Sequence, residues 1–125
     1  MSIKYLTVEN INSYKTAREL SSISWKIVEG WDFFEKKTIG DQLVRSIDSI
    51  GANIAEGFGR YHKKDKIKFY YNARGSLSEV KHWLELSVER KLIQKETAEV
   101  LLEKLNRLPL ELNSLIKITN EKLKI

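Results

Sequence analysis

The chain has 125 residues, enough for one domain with a sizeable hydrophobic core. Its 42% hydrophobic and 31% charged residues exclude a disordered tract, and the absence of cysteine excludes a disulfide scaffold or a thiolate metal site. A net charge of +5 is compatible with nucleic acid or with an acidic protein partner. Met1-Ser2-Ile3-Lys4-Tyr5 lacks the apolar stretch of a secretion signal and no run has the length of a membrane span, so a cytoplasmic chain without a membrane partner is expected.

One proline and six glycines leave little material for the turns of an all-β fold. The first periodic segment runs from about Asn10 to Glu35, with Ala17, Leu20, Ser24, Ile27, Trp31 and Phe34 on one helical stripe. Lys36-Lys37-Thr38-Ile39-Gly40 reads as a connection, and Thr38 with Asp41 has the spacing of a capping box. The second helix, Gly40 to Arg60, carries Leu43, Ile47, Ile50 and Ile54 on its core side. After the turn Tyr61-His62-Lys63-Lys64, the third helix to about Arg90 spaces Phe69, Ala73, Leu77, Val80, Leu84 and Val88. The last begins near Gln94 or Lys95 with Ala98, Leu101, Leu105, Leu108, Leu112, Leu115 and Thr119 in stripe. Pro109 lies inside it and predicts a kink, but the stripe keeps its phase across the proline, which favours one bent helix. The pattern predicts an all-α, antiparallel up-down-up-down four-helix bundle filling residues 1–125 as a single domain.

The second helix is unusual on its far side. Arg45, Ser49, Ala52 and Glu56 fall there, and Ser46, Gly51, Ala55, Gly57 and Gly59 keep the segment small. Isolated glycines inside a helix cost roughly 1 kcal/mol each relative to alanine, so a close contact should compensate. Ala73-Arg74-Gly75-Ser76 repeats the oddity in the third helix, followed by Glu79. Two readings stay open: tight packing of these helices within one bundle, or a subunit interface with Arg45, Glu56, Arg74 and Glu79 in ion pairs.

The string Gln42-Leu43-Val44-Arg45-Ser46, then Ser49-Ile50-Gly51-Ala52-Asn53-Ile54-Ala55-Glu56-Gly57-Phe58-Gly59-Arg60, resembles the hallmark of one bacterial family, as does the Phe69, Ala73-Arg74-Gly75-Ser76-Leu77, Glu79 series. The family comprises the four-helix-bundle proteins first noticed in the intervening sequences of 23S ribosomal RNA genes. It is similar in fold to the accessory variability determinant of diversity-generating retroelements. The resemblance covers nearly the whole chain and is strongest from Gly40 to Ile93; Lys91 departs from it, standing where such proteins frequently carry glycine. It implies a bundle assembled as a ring-like homo-oligomer, commonly a pentamer, with a role connected to RNA or DNA. No enzymatic activity is established for such proteins, so Arg45, Asn53, Glu56, Arg60, Arg74 and Glu79 carry over only as a shared polar set.

Between Arg60 and Lys68 the cations Arg60, Lys63, Lys64, Lys66 and Lys68, with His62, face a single carboxylate, Asp65. This is the candidate nucleic-acid-binding surface, with Tyr61, Tyr70 and Tyr71 available to stack on unpaired bases. A solvated charged turn is the competing explanation. Glu79-Val80-Lys81-His82 spells Glu-x-x-His, yet a di-iron bundle needs a second copy and two further glutamates, and the only other histidine lacks one. Gly57-Phe58-Gly59 lacks the third glycine and the strand of a dinucleotide fingerprint, and Ser78-x-x-Lys81 lies within a helix without companion motifs. Trp25, Trp31 and Trp83 read as core or interface residues. No catalytic residue, cofactor or metal is expected. The expected function is a non-enzymatic oligomeric scaffold that binds RNA, DNA or a nucleic-acid enzyme; the alternative is a protein-interaction module with no nucleic-acid contact.

Overall fold

The computed structural model describes residues 7–123; the stretch Met1-Ser2-Ile3-Lys4-Tyr5, which lacks the pattern of a secretion signal, lies outside the described residues. A short 3-10 turn, Val8–Asn10, precedes α1, Asn12–Glu29. The single turn α2, Phe33–Glu35, passes through a π-type turn, Lys36–Gly40, into α3, Asp41–Gly59. Helices α4, Lys63–Glu89, and α5, Lys95–Lys122, complete the chain.

Contacts between α1 and α3, α3 and α4, α4 and α5, and α5 and α1 close the four long helices into a bundle. Its antiparallel sense is visible in paired side chains. Along α1, Thr16 meets Glu111 and Glu19 meets Lys104, so the two helices run in opposite directions. Likewise Lys63 meets Asn120 and Arg74 meets Asn113 between α4 and α5.

The core follows from the apolar spacing. Leu43, Ile47, Ile50 and Ile54 of α3 are at most 1% exposed and meet Leu20, Val80, Leu84, Leu101, Leu108 and Leu112 in one cluster. On α4 the phase differs slightly from the sequence expectation: Tyr70 is buried and Phe69 half-buried, and Leu77 and Val88 sit at the core margin. Helix α5 is continuous through Pro109, one helix rather than two.

Two local expectations are corrected. The first helix ends at Glu29 rather than Glu35, because the chain leaves the helix around Gly30 and Asp32 is extended. Phe34 consequently leaves the core stripe and stands 72% exposed. The Thr38 capping box does not form: backbone dihedrals stay helical through Gly40 and Asp41, so no helix start exists there to cap. Thr38 Oγ1 donates instead to the Phe34 carbonyl at 2.7 Å.

Close packing explains one of the glycines of α3. A Cβ at Gly57 would lie 2.7 Å from the Tyr70 ring and 2.9 Å from the Lys66 carbonyl oxygen, where α4 begins. The α3–α4 seam also contains a hydrogen bond between the Ser49 and Ser76 hydroxyls at 2.9 Å. At the far end, α4 terminates with Leu92 N–H donating to Ser87 O and Lys91 N–H to Val88 O, a Schellman-type closure. It requires Lys91 to adopt φ = 62°, the left-handed region that favours glycine.

Candidate nucleic-acid interface

The connection between α3 and α4 is shorter than the sequence pattern suggests, because α4 already begins at Lys63, and the basic stretch from Arg60 to Lys68 does not present its cations uniformly. Arg60 turns back along α3: its Nε donates to Glu56 Oε2 at 3.1 Å, and its guanidinium lies 4.7 Å from the centre of the Phe69 ring. Lys66 turns inward. Its ammonium donates to the Phe58 carbonyl oxygen at 2.6 Å, closing the end of α3, and lies over the Phe58 ring. Burial holds the Lys66 ammonium below its usual pKa. Lys63 is half-buried and reaches the Asn120 carbonyl oxygen at the end of α5.

Lys64 and Lys68 remain. Four residues apart on α4, they share one outward face, and both are exposed. Among the described residues neither has a carboxylate within ion-pair distance. His62 is exposed before the helix, its ring edge-on to Tyr61 at 5.0 Å. Of the tyrosines, Tyr61 is 73% and Tyr71 53% exposed, whereas Tyr70 belongs to the core. Burial pushes the Tyr70 hydroxyl up to about 12, and the same burial leaves its ring no free face on which a base could stack.

One further exposed cation, Lys117, is brought to this surface by the fold and is not marked by the basic stretch in the sequence. It lies on α5 between Asn113, which accepts from Arg74, and Asn120, which accepts from Lys63. Positions 113, 117 and 120 share one helical face, so this exposed lysine stands on the edge of α5 next to α4. The available signal was that polar i, i+4, i+7 series, but only the fold says which helix it borders.

The family polar set is spread over several contacts. Arg45 pairs with Asp41 at 2.7 Å, one turn earlier on the same helix. Asn53 donates to the Ser49 carbonyl, and both half-buried residues border the α3–α4 seam. Arg74 donates to Asn113 Oδ1 at 3.0 Å. Glu79 is exposed and has no ion-pair partner among the described residues, so the four charged groups do not come together within one chain. Ala52, Glu56 and Arg45 stay exposed.

Elsewhere, His82 stacks edge-on against Trp83 at 4.7 Å, and Lys81 lies 3.9 Å from Glu85. Among the described residues no three His, Cys, Asp or Glu side chains gather as a metal-binding group. No described helix is long and apolar enough to cross a membrane.

A model described as 23S rRNA-intervening sequence protein matches residues 9–114, from the first turn well into α5. The chain belongs to this family. A solved crystal structure of a protein with unknown function, from the S23 ribosomal protein family of Bacteroides thetaiotaomicron VPI-5482, is similar with a TM-score of 0.72. The likeness covers 83% of this chain and 97% of that one at 24% identity, and it carries the fold alone. No curated protein matches the chain.

Proposed function

We propose that the protein is a non-enzymatic, self-assembling scaffold that engages RNA or DNA, alone or with a nucleic-acid enzyme, through the outward face of α4 at its N-terminal end. The observation that carries this reading is the pair Lys64 and Lys68, exposed on one face and free of carboxylate partners among the described residues. Cations in the first turns of a helix oppose its macrodipole, so they are poorly explained as stabilisers of α4. Lys117 on the neighbouring edge of α5 extends the positive surface. A ring of such chains repeats the surface in every subunit and multiplies its field. A chain without cysteine suits the reducing cytoplasm, where such partners are met.

The test removes charge where it is free. Replacing Lys64, Lys68 and Lys117 by glutamine weakens binding to RNA or DNA while leaving the unfolding transition unchanged. Unchanged affinity clears this surface of the role.

Protein recognition is the second reading, supported by aromatic exposure at the opposite end of the bundle. Trp25, Phe33 and Phe34 are 58%, 77% and 72% exposed around the α1–α3 connection. Exposed apolar groups of this size are characteristic of contact surfaces. A partner retained from lysate after nuclease treatment, and lost on replacing Phe33 and Phe34 by serine, favours that reading.

A further inference from the structure

We infer that the α4 surface selects single-stranded over duplex nucleic acid, using Tyr61 and Tyr71 as stacking platforms on either side of the Lys64–Lys68 pair. The inference rests on the nucleic-acid reading of this surface and deepens it. One exposed tyrosine needs no explanation, because apolar groups contribute much of any protein surface. What distinguishes this pair is its position relative to the free cations. Lys64, Lys68 and Tyr71 follow one another by four and then three residues and so share a face of α4. From Lys64 to Tyr71 the helix rises about 10 Å, at roughly 1.5 Å per residue. Tyr61 stands just before the first turn, 73% exposed, with its ring braced edge-on by His62.

In chain order the exposed groups therefore run ring, cation, cation, ring, the last three on one face of α4. A duplex can satisfy only the cations, since its base faces are already stacked on one another. Two large rings then lie against its phosphate-lined exterior without a partner. An unpaired strand satisfies both: phosphates meet the ammonium groups, and bases meet ring faces, a contact that tolerates any sequence. Asp65, the one carboxylate between Arg60 and Lys68, is half-buried in the first turn of α4 and leaves the outward face to the cations. The adjacent tyrosine, Tyr70, faces the core and takes no part.

Fluorescence anisotropy of the full chain tests this, with a labelled single strand of about 12 nucleotides and a duplex of the same length. At one moderate salt concentration the single strand is expected to bind at least about tenfold tighter. Tyr61→Ala and Tyr71→Ala should each lower single-strand affinity about fivefold or more. Duplex affinity should barely change, and Tyr61→Phe and Tyr71→Phe should retain the preference. Equal affinity for the two forms, or alanine variants that bind the single strand as well as the parent, overturns the inference and leaves the nucleic-acid reading standing. Binding to neither form overturns both.

Discussion

Replacing Lys91 by glycine should stabilise the protein, although Lys91 is exposed and its side chain is no part of the core. Its φ of 62° closes the end of α4, and the two backbone hydrogen bonds of that closure fix it there. A left-handed conformation costs an L-residue about 1–2 kcal/mol through crowding of Cβ against the backbone. Glycine removes that strain but loses more unfolded-state freedom on folding, an opposing effect of roughly 0.4–1 kcal/mol. The net gain is about 0.5–1 kcal/mol, equivalent to a rise in Tm of roughly 2–5 °C for a domain of this size. Thermal unfolding followed by circular dichroism at fixed protein concentration measures it, with Lys91→Ala as the control. Alanine removes the same long side chain but keeps Cβ, so it should bring no comparable gain. A glycine variant no more stable than the alanine variant would mean that the left-handed backbone at Lys91 stores no such strain.

Three further outcomes are expected. Gly57→Ala should destabilise by about 1–2 kcal/mol because its new methyl group meets the start of α4, whereas Gly75→Ala, with nothing within 4 Å, should gain roughly 0.5–1 kcal/mol. If denaturant midpoints show equal losses for both, a neighbouring subunit approaches Gly75. The hydrogen bond from Lys104, aided by the charges of Lys104 and Arg107, lowers the pKa of Glu19 below 4.5. Its small stabilising contribution is therefore complete above pH 4.5 and disappears as pH falls through the lowered folded value. The stability gap between the parent and Glu19→Gln should close on acidification, and a gap independent of pH contradicts the assignment. Glu56→Lys reverses a charge on the exposed small-residue side of α3 and breaks its pair with Arg60, so the mass from light scattering should fall. An unchanged mass removes that side from the subunit interface.

The fold was legible because apolar spacing carried it: Leu43, Ile47, Ile50 and Ile54 announce a buried face, and no competing pattern interrupts them. The first helix was overextended because Trp31 and Phe34 continue its phase beyond Gly30, and periodicity alone does not register a backbone break. Thr38 and Asp41 imitate a cap at a position where the chain is already helical. The cations of the basic turn were equivalent in sequence, yet packing separates them: Lys66 binds the end of α3, Arg60 covers Phe69, and Lys64 and Lys68 face outward. Lys117 was missed because its proximity to this surface depends on which helix neighbours α5. Lys91 was the reverse case. The family resemblance marks it as standing where glycine is frequent, and the structure supplies the positive φ that gives the difference an energetic consequence.

Whether Lys64 and Lys68 meet phosphates is read from the salt dependence of single-strand binding by the parent and by Lys64→Gln/Lys68→Gln. Each lost phosphate contact should reduce the slope of log affinity against log salt by about 0.7, so the double variant should be shallower by about 1.4 per chain. Parallel slopes, or no salt-sensitive binding by the parent, would mean that these two lysines meet no phosphates.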